Sequence, residues 1–257
     1  MPDSFNEQDW LSLAPELTIG GDVKVEDIAL SNFELKTIAE TFWAEGYMQF
    51  PRIFQESSIK PVREAMQTLH DQAIPPVYIY VYDQPWQLFA RLSCLLHYFL
   101  GNNFAVLPNL WAWHLAKEGD SGWSMHRDCD AQTVFDVNGD KLLMSLSLWL
   151  PLTDATENNG CMSVRLRNGE AARALPVKAG SLLGWAQDLY HWGGAYTDQA
   201  ENPRLSLSLE FQNTAFHPLA EPLLTFSQLP SFSERHALIA EQFGKYRHIE
   251  SGIGKGA

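Results

Sequence analysis

Cysteine is scarce in this chain. Cys94, Cys129 and Cys161 are the only three. They show no CxxC spacing and cannot all pair, which suits a reducing compartment rather than a disulfide-stapled scaffold. Positive charge is also short: 18 Lys and Arg stand against 31 Asp and Glu, for a formal net charge of −13. No run of Lys or Arg offers a basic patch, so nucleic acid and anionic membrane surfaces are poor partners. No apolar stretch approaches the ~18 residues of a membrane span. The opening segment MPDSFNEQDW is acidic and has no positive flank before an apolar run, so no signal peptide is read there. Internal repeats and low-complexity tracts are absent. These features together predict a cytoplasmic protein whose partner is a small molecule; the oligomeric state is left open.

What is present is ordinary globular composition, 46% hydrophobic and 19% charged over 257 residues, with nine Trp. That length fits one large domain, read here as 1–257: a helical part over about 1–103, a β-core over about 104–213 and a helical extension over about 214–257. The opening 30 residues are mixed and acidic and are expected to wrap over another part of the chain. A first helix is predicted from Phe33 to Ala44. Ser31 and Glu34 form a capping-box pattern, Leu35, Ile38 and Phe42 share a face, and Gly46 ends it. A short strand, Tyr47 to Phe50, follows. A second helix is predicted from Ile59 to Asp71, capped by Ser57 or Ser58. VYIYVY over 77–82 reads as a strand. Asp83 reads as the cap of a helix running from Pro85 to before Gly101. From about 104 onward, short alternating segments are punctuated by turn signals at Glu118-Gly119-Asp120, Asn138-Gly139-Asp140, Asn159-Gly160 and Ala179-Gly180. This predicts an antiparallel barrel or sandwich. Ser231 and Glu234 repeat the capping-box pattern before a final helix, and the closing SGIGKGA is expected to be disordered.

Two segments in the β-core carry an unusual face. In Leu142–Leu152, Leu142, Met144, Leu146, Leu148, Leu150 and Leu152 alternate with a set holding Ser145, Ser147 and Trp149. In Arg204–Phe211, Leu205, Leu207, Leu209 and Phe211 alternate with Arg204, Ser206, Ser208 and Glu210. Strand side chains alternate between faces. Solvated faces usually carry Lys, Glu and Thr, whereas small hydroxyls leave room for a ligand inside a barrel.

Both segments flank candidate metal ligands. His126 and Asp128 stand two apart, so in extended chain they project to one side. With His191 they make a two-His, one-carboxylate set that suits non-haem iron(II) with open coordination positions. His-X-Asp alone is a weak signal. Arg204 strengthens it: it lies 13 residues after His191 and shares a face with Ser206. A guanidinium fork pairs bidentately with a carboxylate, and a serine hydroxyl adds a third contact. A dicarboxylate held by Arg204 and Ser206 at one end could reach the metal with the other. Among the remaining histidines, His70, His97, His236 and His248 fall in helical regions without an evident partner. His217 is in a loop, and His114 is the best decoy.

The ordered set of His126-X-Asp128, the Asn159-Gly160-Cys161 turn, His191 and Arg204-X-Ser206 resembles the phytanoyl-CoA dioxygenase family. Phe42-Trp-Ala-Glu-Gly46-Tyr-Met-Gln-Phe-Pro51, Leu148-Trp-Leu-Pro-Leu-Thr-Asp154 and Ala179-Gly-Ser-Leu182 are similar to that family's segments, in the same order, across roughly 33–213. The resemblance implies a mainly β fold with flanking α: a double-stranded β-helix, or cupin-like jelly roll, with the N-terminal helices packed on one sheet. It implies iron(II) on His126, Asp128 and His191, and 2-oxoglutarate as cosubstrate on Arg204 and Ser206, with Trp149 beside it. It implies a 2-oxoglutarate-dependent dioxygenase that hydroxylates a small metabolite and releases succinate and CO2. Related halogenases lack the carboxylate, so Asp128 favours hydroxylation, desaturation or cyclisation. One departure concerns the substrate side: many members follow the Asn-Gly turn with Pro-Gly-Ser-His, where this chain has Ser163-Val-Arg-Leu-Arg-Asn-Gly169.

The competing readings are a non-catalytic metal- and 2-oxoglutarate-binding protein of the same fold, a zinc hydrolase and a nucleic-acid demethylase. A zinc hydrolase gives no reason for Arg204 and Ser206, and the charge balance disfavours the demethylase. Candidate substrate contacts are Tyr80, Tyr82, Trp86, Trp111, Trp113, Trp185 and Trp192, although for each taken singly a core position is the favoured reading. Gln187 and Asp188 either polarise a substrate or cap a loop.

Overall fold

A computed structural model describes residues 5–21, 25–169 and 171–246. The expectations for His248 and for 251–257 lie outside the described residues. Helix α1 (Glu7–Leu13) buries Trp10 completely, so the opening segment does pack onto the rest of the chain. Helix α2 (Asn32–Glu45) starts at the Ser31–Glu34 capping box and stops at Gly46, whose φ of 92° is left-handed. Strand β1 (Tyr47–Phe50) follows directly. Helix α3 (Glu56–Asp71) begins earlier than predicted. Gln55 occupies its cap position without a side-chain bond, so neither Ser57 nor Ser58 caps it.

The segment read as a strand over 77–82 is a 3₁₀ helix, Pro76–Val81. Pro75 and Pro76 preset its turn, and Val77 through Val81 are all buried rather than alternately so. The predicted 85–100 helix is two, α4 (Asp83–Ala90) and α5 (Ser93–Leu100), broken at Arg91-Leu92. Asp83 does not cap α4. Its carboxylate accepts from Thr18 Oγ1 and from the backbone of Gly20 and Gly21, and pairs with Arg235 at 2.7 Å.

The main sheet has the antiparallel order β1-β8-β5-β10-β2, built from β2 (Phe104–Leu115), β5 (Ser145–Pro151), β8 (Leu182–Ala186) and β10 (Arg204–Asn213). β3 (Val134–Val137) and β4 (Asp140–Leu143) form a hairpin at the Asn138-Gly139 turn. The Leu142–Leu152 run is therefore interrupted at Met144. A smaller sheet has the order β7-β6-β9, from β6 (Met162–Arg165), β7 (Ala172–Leu175) and β9 (His191–Gly193). The fold is a double-stranded β-helix with helices. The final helix, α6 (Phe232–Tyr246), keeps the Ser231–Glu234 capping box and packs against the 3₁₀ helix and β2. Among the described residues, no helix is long and apolar enough to cross a membrane.

The Arg235–Asp83 pair joins the N-terminal segment, the 3₁₀ helix and α6 without exposure to solvent. Arg235 also donates to the carbonyls of Val81 and Pro230. Breaking one partner strands a buried charge, so Asp83→Ala is expected to cost about 3–5 kcal/mol. In a chain this long that lowers the melting temperature by roughly 10 °C. An apolar replacement of both partners should recover much of the loss in a denaturant titration. Equal destabilisation by the single and double variants would contradict this account.

Candidate metal and carboxylate site

The loop after β2 runs antiparallel to β9 and is tied to it by isolated backbone bridges. His126 N–H donates to the His191 carbonyl and His191 N–H to the His126 carbonyl, both at 3.0 Å. Gly193 N–H donates to Trp123 O, and Gly122 N–H to Gly194 O. This approach depends on glycine: a Cβ on Gly122 would lie 2.5 Å from Gly193 Cα and 3.2 Å from Arg204 Nη2. Residues 65 positions apart thereby face each other across one backbone pair.

His126 Nε2 and His191 Nε2 each lie 3.5 Å from Asp128 Oδ1. One ligand atom from each residue falls within 4.8 Å of the others, as a shared ion requires. The expectation that these three converge is met by the geometry. Each imidazole is oriented through its other nitrogen, His126 Nδ1 against Ser124 O at 2.7 Å and His191 Nδ1 against Leu189 O at 3.0 Å. A carbonyl only accepts, so Nδ1 carries the proton and the Nε2 lone pair is left for an ion. His126 Nε2 is buried without a hydrogen bond. Asp128 Oδ2 accepts from Ser147 Oγ at 2.6 Å and Trp185 Nε1 at 3.0 Å, leaving Oδ1 toward the histidines. Burial opposes ionisation of Asp128, but His191, His126 and Ser147 outweigh it and hold the carboxyl well below its usual range. Burial lowers His191, while Asp128 raises His126 against the same penalty. The donor set, two imidazole nitrogens and one carboxylate oxygen, fits an iron site.

The main sheet sets the rest of the site by register. Ser206 stands opposite Pro151 and Trp113, Ser208 opposite Trp149, and Glu210 opposite Ser147. A cavity is lined by the triad, Trp149, Arg204 and Glu210 among others. Arg204 is fully buried, and its Nε and Nη2 have no hydrogen-bond partner. Its Nη1 donates to Ser206 Oγ at 2.8 Å, and its guanidinium lies 5.6 Å from the Trp149 ring and 5.9 Å from the Trp113 ring. Burial draws its pKa down to about 10. Buried donors are almost always paired, and this fork has the geometry to take a carboxylate. Ser206 differs from expectation. Its Oγ holds the arginine, and Ser206 itself is not among the cavity-lining residues.

Of the candidate aromatics, Trp113 and Trp185 line the cavity. Tyr80, Tyr82 and Trp86 belong to the core, each donating to a backbone carbonyl: Ser208, Trp10 and Tyr80 respectively. Trp111 packs on Trp123 and Tyr246 behind the wall, and Trp192 is half-buried outside it. His114 is stacked on His70 at 3.9 Å and bonded to Gln67, away from the site. His97 Nδ1 meets Ser93 O, so neither it nor His70 lacks a partner. Asp188 pairs with Arg167 and accepts from Thr133 N–H, which makes it a loop brace.

Sequence reasoning did not assign roles to Ser147, Trp123, Tyr246 or Glu210. Strand alternation placed Glu210 on the Arg204 face, so that signal was present. Gln187 donates to Glu210 Oε2 at 2.7 Å and to Ser147 Oγ at 3.3 Å. Asn109 Nδ2 donates to the same Oε2 at 2.6 Å. Burial, and then the charge of Asp128, push the Glu210 carboxyl up to about 8. Its folded pKa therefore lies above the unfolded value of 4.5. The stability this contributes is complete below pH 4.5 and is lost as pH rises toward 8. Relative to the natural chain, metal-free Glu210→Gln should gain melting temperature steadily across that window. A pH-independent difference would show that Glu210 titrates normally.

No protein-family model and no curated protein matches the chain. Solved structures do. The epimerase SnoN from nogalamycin biosynthesis, in complex with Fe3+, alpha ketoglutarate and nogalamycin RO, is 17% identical. It covers 78% of this chain and 97% of its own, with a TM-score of 0.59. The two chains share their fold. The alpha ketoglutarate-dependent carbocyclase SnoK from the same biosynthesis is 14% identical, covering 80% and 100% at a TM-score of 0.58. HygX from Streptomyces hygroscopicus with iron bound is 12% identical, covering 80% and 99% at a TM-score of 0.54. At these identities the likeness concerns the fold, and the residues of the site carry the chemistry.

Proposed function

We propose that this protein is an iron(II)- and 2-oxoglutarate-dependent dioxygenase that hydroxylates a small metabolite, of the phytanoyl-CoA dioxygenase-like type. One observation carries the proposal. A buried arginine fork with two unpartnered nitrogens shares a cavity with a two-His, one-Asp cluster. A zinc hydrolase needs the cluster but has no use for the fork, and succinate release separates an enzyme from a protein that only binds metal and 2-oxoglutarate. Bound here, iron(II) with 2-oxoglutarate and O2 would supply oxidative decarboxylation to succinate and CO2, coupled to oxidation of a C–H bond.

The residues of the chain do the positioning. His126, Asp128 and His191 would hold the ion. Ser147 and Trp185 fix which carboxylate oxygen of Asp128 faces it. Arg204, held by Ser206 and flanked by Trp149, takes the distal carboxylate. The aromatic walls at Trp113, Trp123 and Trp185 exclude water. The fold neighbours include an epimerase and a carbocyclase, so the outcome at the C–H bond is the finer part of the proposal. Hydroxylation adds one oxygen atom to the product mass, epimerisation leaves it unchanged, and cyclisation removes two hydrogens.

Anaerobic addition of iron(II) and then 2-oxoglutarate is expected to produce a visible metal-to-ligand charge-transfer band. If wild-type protein binds iron and shows no such band at saturating 2-oxoglutarate, the proposal fails.

A further inference from the structure

With Arg204 and the triad assigned, one charged side chain of the cavity remains unused. Glu210 lies six residues along β10 from Arg204, about 20 Å in extended chain, so the two cannot hold one small carboxylate. It stands opposite Ser147, the residue that orients Asp128, which places it at the level of the metal cluster. Two amides, from Asn109 and Gln187, converge on Oε2. Among the described residues no Lys, Arg or His forms an ion pair with it. Lys245 is close enough to influence it but is bonded to Asn109 Oδ1. The walls beside it are aromatic: Tyr246 and Trp123 pack at 4.3 Å between ring centroids, and both line the cavity with Trp185.

We propose that Glu210 anchors a protonated amine of the substrate, so that the enzyme takes a basic small molecule with its reacting C–H near the ammonium group. The inference rests on the function proposed above. This buried carboxyl accepts from two neutral amides and forms no ion pair among the described residues, and an ammonium ion of the substrate would hold it in its ionised form. The aromatic faces add cation–π attraction to the same charge. A net charge of −13 raises the concentration of cations near the surface. A neutral hydroxyl in the same place would gain neither of these attractions.

The test compares wild type with Glu210→Gln, which keeps the shape and can still accept from both amides. Benzylamine, cyclohexylamine and 1,4-diaminobutane serve as probes, each against its N-acetyl derivative. Binding is read by tryptophan fluorescence in the metal-free protein, and by displacement of the charge-transfer band in the anaerobic iron(II)–2-oxoglutarate complex. Wild type should bind at least one amine about tenfold or more tighter than its amide. Glu210→Gln should lose that preference while still forming the band. Absence of any amine preference in wild type overturns the proposal, as does a preference undiminished in Glu210→Gln. Should the Gln variant misfold, Glu210→Asp replaces it; an amine preference equal to wild type, despite the shortened reach, also overturns it. Failure of the band in wild type sinks the proposed function, while the fluorescence comparison still decides Glu210.

Discussion

Arg204→Met should make the ligand-free protein melt higher and abolish its response to 2-oxoglutarate. The two signs have one cause. Arg204 is fully buried, has one protein hydrogen bond, to Ser206, and leaves Nε and Nη2 without partners. No carboxylate pairs with it among the described residues. Two tryptophan faces offset part of the cost of burying the charge, but the lowered pKa shows that the cost persists. Replacing poorly compensated buried charge by an apolar side chain of similar length commonly gains about 1–4 kcal/mol. The same charge is what a dicarboxylate would neutralise. At 100 times its dissociation constant, a ligand stabilises the native state by about 2.7 kcal/mol, a shift of roughly 5–10 °C for a chain of this size. Wild type should show that shift in differential scanning fluorimetry with iron(II) present, and Arg204→Met should show none. A variant that still responds to 2-oxoglutarate would remove Arg204 from the binding role. A variant that melts lower would mean the guanidinium is better compensated than its contacts indicate.

The second large effect is on the metal. Asp128→Asn keeps the shape of the side chain and removes the one anionic donor of the cluster. It also disturbs the hydrogen bonding behind that donor. Ser147 Oγ and Trp185 Nε1 both donate to Oδ2, and an amide nitrogen in that place accepts neither. If the amide turns its oxygen to them, its NH2 faces the imidazoles instead of a lone pair. The first orientation leaves the ion a neutral amide oxygen whose supporting hydrogen bonds are broken, and the second leaves it only the two imidazoles. Removing only an outer hydrogen-bond partner of a metal ligand costs about 10–100-fold in affinity, so loss of the ligand itself should exceed about 100-fold. Competition against a chelator, with cobalt(II) as an air-stable probe, measures it directly. Ser147→Ala provides the calibrating case and should fall within the smaller range. If Asp128→Asn binds metal as tightly as Ser147→Ala, the carboxylate is not a ligand.

How much of this was legible from residues alone varied with the range of the interaction involved. The capping boxes at Ser31 and Ser231, the stop at Gly46 and the Asn-Gly turns are local devices, and they appeared where the residues placed them. Alternation along Arg204–Phe211 correctly put Arg204, Ser206, Ser208 and Glu210 on one face. The misreadings also had local causes. VYIYVY has the composition of a strand, but two prolines start it and burial on every side overrides alternation. Asp83 stands where a cap would, but four partners distant in sequence claim its carboxylate.

The candidate ligands His126, Asp128 and His191, and the arginine that completes the set, were determined by residue type, spacing and order, because each is a short-range feature of an extended segment. Whether they meet was decided only in three dimensions. The pairing of the His126 loop with β9 spans a long stretch of chain, and it closes because glycines at 122 and 193 let two backbones touch. The cross-strand register of β5 and β10 likewise decided that Glu210 sits opposite Ser147, at the metal, and that helix α6 brings Tyr246 over the same cavity. Such contacts depend on which strands become neighbours, a property of the whole folded sheet that no single segment encodes.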